Sequence, residues 1–171
     1  MTINPSHHYR ATVISNRGTF TIQLLPRLAP IAVNSFVFLA RHRYFDHNLF
    51  HRIIRDMMIQ SGDPTGTGAG GPGYTFQDEL PPKTMKYTVG TVAMANLEKP
   101  NTNGSQFFIV TGPEALSLGR NYTIFGRVSS GMNVVYKIAN TPITANPALN
   151  GEPSEPLVDV YIKSITIHET R

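Results

Sequence analysis

Two short blocks carry most of the constraint on this chain. The first is Phe50-His51-Arg52-Ile53-Ile54-Arg55-Asp56-Met57-Met58-Ile59-Gln60-Ser61-Gly62-Asp63. The second is Met94-Ala95-Asn96, followed by Asn101-Thr102-Asn103-Gly104-Ser105-Gln106-Phe107-Phe108-Ile109. Each sets a few polar side chains among large apolar ones. Amide side chains supply both donors and acceptors, which an extended backbone needs. Apolar neighbours supply a concave seat for a ring.

The rest of the chain reads as many short strands and two helices. Ala11 to Ser15 and Thr19 to Leu24 form a hairpin around Asn16-Arg17-Gly18, with Phe20, Ile22 and Leu24 alternating with polar residues. Pro30 to His42 is a helix: Pro30 suits a first turn, and Val33, Phe36, Val37 and Ala40 make one apolar stripe. Leu49 to Gln60 reads as one strand, and Gly62 to Gly73, with six glycines and two prolines, as a loop. Tyr87 to Ala95, Gln106 to Thr111 and Tyr122 to Val128 are further strands, and Asn133 to Asn140 a second helix. Thr141 to Pro156 carries four prolines and reads as a loop; Val158 to His168 alternates and is a terminal strand. This pattern suggests an antiparallel barrel, although periodicity alone does not separate barrel from sandwich. Residues 1–9 read as a tail and 10–171 as a single domain, an ordinary size for one core.

Composition excludes several classes. Without cysteine there is no disulfide, thiolate zinc site or thiol nucleophile. The net charge of +4 comes from scattered basic residues with no stripe, so no nucleic-acid partner is expected. Nothing resembles a leader or an ~18-residue apolar span, so a cytoplasmic protein without membrane contact is expected. Gly66 to Gly71 fits G-x-G-x-x-G, but Pro72-Gly73 and a β-prone Tyr74-Thr75-Phe76 follow where a dinucleotide site needs a helix. His47 and His51, four apart on a turn and strand, do not make a helical zinc pair. There is no G-x-S-x-G elbow. No metal and no cofactor are expected.

The two blocks resemble the signature of the cyclophilins, the cyclosporin-type peptidyl-prolyl cis–trans isomerases. The resemblance runs from about Ala11 to Ile167 and includes Asn34-Ser35-Phe36 and Phe125-Gly126-Arg127-Val128. It implies a closed eight-stranded antiparallel β-barrel capped by two α-helices. It implies that proline-containing polypeptides are the partners and that Arg52 is catalytic. Met58, Phe108 and Leu118 match the walls of the proline pocket, with Leu116 the alternative to Leu118. Gln60, Ala95, Asn96 and Gln106 match positions that hold the substrate backbone, Ala95 through its main chain. Met57 stands where the family usually has Phe, and Tyr122 where many members have His; both still flank the pocket. His51 reads as a packed, hydrogen-bonded structural residue.

One departure is larger. Many eukaryotic members carry a Trp just before the leucine wall, where it contacts cyclosporin. Here the segment is Glu114-Ala115-Leu116-Ser117-Leu118-Gly119-Arg120-Asn121, and the chain has no Trp. Weak cyclosporin binding is expected, in a monomer. The competing class is a proline-peptide-binding or chaperone module on the same fold with little turnover. The intact set Arg52, Met58, Gln60, Asn96, Gln106 and Phe108 favours the enzyme.

Overall fold

The structure, a computed structural model, describes residues 1–171. Ten strands and two helices follow in the order β1 (His8–Ser15), β2 (Gly18–Leu24), α1 (Pro30–Arg41), β3 (Arg52–Ile54), β4 (Met58–Ser61), β5 (Thr91–Met94), β6 (Phe107–Val110), β7 (Ile124–Ser130), α2 (Met132–Ala139), β8 (Ile143–Asn146), β9 (Glu152–Pro156) and β10 (Ile162–Thr170). Eight strands make one antiparallel sheet in the order β10-β1-β2-β7-β5-β6-β4-β3. The sheet curls until its edges meet. There the chain ahead of β3 joins the start of β10: Phe50 N–H donates to the Val160 carbonyl at 2.7 Å, and Ile162 N–H to that of Asn48 at 2.9 Å. The expected eight-stranded barrel is thus a curled sheet closed by this short bridge, not by a continuous ladder. No helix is long and apolar enough to cross a membrane.

Alternation decides which side chains fill the barrel. Tyr9, Ala11 and Val13 of β1 and Phe20, Ile22 and Leu24 of β2 are buried, as are Ile53, Ile59, Val92, Phe107 and Ile109 from the other wall. Phe36 of α1 packs within 5.0 to 5.6 Å, centroid to centroid, of Phe45, Phe107 and Phe125. The predicted helical stripe of Val33, Phe36, Val37 and Ala40 is entirely buried. Ala29 provides no capping side chain, and Glu79 substitutes from a distant loop. Its carboxylate accepts the Ile31 and Ala32 N–H groups at 3.0 and 2.9 Å, where the helix end leaves donors free.

Two parts of the sequence reading need correction. Leu49 to Gln60 is not one strand but a hairpin, β3–β4, turning at Arg55 to Met57 with Asp56 at φ 54°. Aspartate tolerates this left-handed conformation better than most residues. Thr141 to Pro156 is not a loop but a second hairpin, β8–β9, with Pro156 opposite Ile143 and Pro153 opposite Ala145. Proline survives there because the two-stranded ribbon asks little of its missing N–H. β1 already begins at His8, inside the stretch read as a tail, and Ile3 and Tyr9 are buried in the core.

A carboxylate ties the ends of this fold together. Glu169 of β10 accepts the Tyr9 hydroxyl at 2.7 Å and meets His7 Nδ1 and Arg41 of α1 at 2.8 Å each. The Tyr9 bond, then those of His7 and Arg41, hold its carboxyl at about 2, below an ordinary 4.5. A depressed carboxylate stabilises the fold above its unfolded value and loses that contribution as pH falls through the folded one. Glu169→Gln is therefore expected to lower stability at neutral pH. The gap from the native protein should narrow between pH 4.5 and about 2 in urea titrations.

Candidate active site

Register places the site. Arg52 of β3 pairs with Gln60 of β4, Gln60 with Phe108 of β6, and Phe108 with Ala93 of β5. Directly opposed residues share a face, with Cβ atoms about 4.5–5.5 Å apart. The next row, Ile53, Ile59, Ile109 and Val92, points into the barrel. The Arg52 row therefore lies on the outer face of the wall. Phe107 and Phe108 are both buried, but in different clusters: Phe107 in the core and Phe108 beneath the site.

On that outer face Met58, Ala93, Phe108, Val110 and Ile124 form a second apolar cluster, with Met57, Ala95, Leu118 and Tyr122 packed against it. Tyr122 meets Phe108 edge to face at 5.3 Å. Of the two candidate leucines, Leu118 joins this cluster while Leu116 is exposed. The Tyr87 hydroxyl donates to the Gly119 and Tyr122 carbonyls and tethers the rim.

Beside the apolar patch runs an open groove of about 1210 Å³, with Arg52, Gln60, Ala95, Asn96 and Gln106 along it. The side chain of Asn96 is held at both ends of its amide: it donates to the Asn121 carbonyl at 2.9 Å and accepts the Glu98 N–H at 3.0 Å. These bonds fix how the amide is turned and leave it one N–H and one oxygen lone pair.

The polar members form one chain of hydrogen bonds. Gln106 Nε2 donates to the Gly68 and Gly70 carbonyls, both at 2.9 Å. Its Oε1 accepts Gln60 Nε2 at 2.9 Å, and Gln60 Oε1 faces Arg52 Nη1 at 3.4 Å. Each amide orientation follows from the one before. The starting point is Asp63, which sequence reading did not single out. Its buried carboxylate accepts Thr65 N–H and Oγ1 and the Gly68 and Gly70 N–H groups. Burial alone would raise the Asp63 carboxyl, but these bonds outweigh it and hold it below the usual range. Gly70 lies so close to the carboxylate that a Cβ would strike it, and at Gly62, with φ at 93°, a Cβ would strike the Ser105 carbonyl. The Gly66 to Gly71 segment is therefore a scaffold wrapped on Asp63, with no helix after it.

The other side of Arg52 is also held. Its Nε and Nη2 donate to Glu152 Oε1 and Oε2 of β9, both at 2.8 Å. Sequence reading missed Glu152, since nothing local links it to a strand a hundred residues earlier. His51 is packed as expected, beside Leu49 and Gln106, with neither ring nitrogen at full hydrogen-bond geometry. Burial keeps its imidazole below the ordinary value, which leaves it neutral at pH 7. No group of three or more His, Cys, Asp or Glu side chains is placed to hold a metal ion.

The profile of the family described as cyclophilin type peptidyl-prolyl cis-trans isomerase/CLD matches residues 10–167. The chain belongs to the cyclophilins. It is 43% identical to peptidyl-prolyl cis-trans isomerase B of Streptomyces anulatus, over 94% of this chain and 97% of that one. It is 47% identical to peptidyl-prolyl cis-trans isomerase-like 1 of Neurospora crassa, over 76% and 80%. A crystal structure of a cyclophilin type isomerase from Cryptosporidium parvum superposes with a TM-score of 0.84 at 34% identity, covering 96% of this chain and 99% of that one. A second structure of that protein, in the presence of the dipeptide Ala-Pro, gives 0.83 at 35%, covering 94% and 99%.

Within this cyclophilin, the Asp63 knot predicts a measurable coupling. Asp63→Asn leaves buried glycine N–H groups short of an acceptor, which costs about 1–3 kcal/mol. Amide exchange at Gly68 and Gly70 is expected to quicken, and the Gln106 side-chain amide resonances to shift, by NMR.

Proposed function

We propose that this cyclophilin accelerates rotation about X–Pro peptide bonds by binding the twisted bond more tightly than either planar form. Amide resonance sets a barrier of ~18–20 kcal/mol. Twisting breaks the resonance and leaves a lone pair on the prolyl nitrogen. A guanidinium beside that nitrogen stabilises only the twisted state, and that difference lowers the barrier. Each ~1.4 kcal/mol of preference is about tenfold in rate.

The observation that carries this is the row Arg52, Gln60, Phe108 on adjacent strands. It sets a charged fork next to an apolar seat. The prolyl ring rests on Met58 and Phe108 between Leu118 and Tyr122, with Met57 a soft outer wall in place of an aromatic ring. Gln60 and Gln106 hold the peptide on one side, and Asn96 and the main chain of Ala95 on the other. The substrate class is proline-containing polypeptide, supported by the relative studied with Ala-Pro. No covalent bond forms and no proton moves, so the neutral His51 has no step to perform.

The test is cis–trans exchange of an Ala-Pro model peptide, by NMR or a protease-coupled assay. The native chain should accelerate exchange, and Arg52→Ala should lower kcat/KM about 10²–10³-fold, the usual effect of losing one preorganised donor. No acceleration by the folded native chain would leave a peptide-binding or chaperone module. We also propose a cytoplasmic monomer, which gel filtration and cell fractionation test directly. Cyclosporin is expected to bind weakly, since no indole stands near Leu118; tight binding in a calorimetric titration would contradict this.

A further inference from the structure

We propose that Glu152 is a positioning residue for Arg52, delivered to the active face by the β8–β9 hairpin. The inference rests on Arg52 being the group at the twisting bond. A guanidinium has five N–H donors in a rigid plane. Glu152 takes one from Nε and one from Nη2, and Gln60 takes one from Nη1 at the longer distance of 3.4 Å. The remaining two, one on each terminal nitrogen, have no acceptor in the protein. The one on Nη2 lies on the end of the fork away from Nε. Because the fork is planar, fixing its Nε–Nη2 edge fixes where that free end points.

Gln60 alone does not do this. One long bond to one nitrogen leaves the plane free to swing on a flexible stem. The Glu152 pair is two-point and short. It is also partly shielded, with 29% of the Arg52 side chain and 33% of the Glu152 side chain exposed. An ion pair this exposed adds little to stability, so its main consequence is orientation.

The hairpin that presents Glu152 is internally fixed. β8 pairs with β9, and Leu157 N–H closes the base on the Pro142 carbonyl at 2.8 Å. At the tip, Asn146 accepts the Ala148 N–H on its side chain and the Gly151 N–H on its carbonyl, at 3.0 and 2.9 Å. The tip residues Pro147 to Leu149 border the same groove as Arg52. The carboxylate also opposes the guanidinium's field. That effect is the smaller one at the free end, because the guanidinium is nearer and Coulomb energy falls with distance.

The test uses the full chain with Glu152→Gln, Arg52→Ala, Arg52→Lys and the Arg52→Lys/Glu152→Gln double variant. Folding is checked by amide NMR spectra. Glu152→Gln should lower kcat about tenfold at nearly constant KM for the Ala-Pro peptide, as expected when a reacting group loses its orientation. The Arg52 Nε–H resonance should shift and exchange faster. In the Arg52→Lys background, where there is no fork to orient, adding Glu152→Gln should change the rate by less than about twofold. Three results would overturn the proposal: native-like or faster turnover in Glu152→Gln, an unmoved Nε–H resonance, or the same loss in both backgrounds. Native activity in Arg52→Ala would instead remove Arg52 from the chemistry.

Discussion

The site depends on the register of four short strands. Arg52, Gln60, Phe108 and Ala93 lie in one row because β3, β4, β6 and β5 pair as they do. A slip of one residue would send the row into the barrel and bring Ile53, Ile59, Ile109 and Val92 out to solvent. The core forbids that slip. Phe107 is locked among Phe36, Phe45 and Phe125, and its neighbour Phe108 must then face outward. The hydrophobic interior and the position of Arg52 are thus one constraint seen from two faces of a wall.

On the outer face, orientation comes from polar contacts. Asp63 gathers the glycine loop through its N–H groups, and the same loop presents two carbonyls to Gln106. Gln106 orients Gln60, and Gln60 borders Arg52. Glu152 holds the opposite edge of the fork. Groups held before substrate arrives need no reorganisation as the bond twists, and this is how fixed dipoles lower a barrier. The glycines serve close approach rather than mobility, as the crowding at Gly62 and Gly70 shows.

Much of this was legible in the sequence, for identifiable reasons. The alternation of Phe20, Ile22 and Leu24 and the stripe on α1 report burial directly, and both were found where expected. The two motif blocks pointed to Arg52, Gln60, Gln106 and Phe108, which the structure brings together. The β3–β4 turn was hidden because Arg55-Asp56 interrupts an apolar run by only two residues. The β8–β9 hairpin was hidden because its prolines argue against strands, and only a two-stranded ribbon tolerates them. Asp63 and Glu152 were out of reach for a different reason. Glu152 matters for a partner a hundred residues away, of which local pattern carries no trace, and Asp63 acts on main-chain N–H groups of its own loop, which side-chain pattern does not report. Asp63 had one faint signal, a carboxylate at the head of a glycine-rich loop able to offer it N–H groups. The contacts of Asn121 and Glu98 that orient the Asn96 amide were likewise not visible in local pattern.

The most direct test of the account is a crystal structure of the native chain with an Ala-Pro peptide bound. It should show the prolyl ring against Met58 and Phe108, the free end of the Arg52 guanidinium facing the prolyl nitrogen, and the Glu152 contact intact. A ring seated away from that cluster, or a guanidinium turned from the prolyl nitrogen, would contradict it.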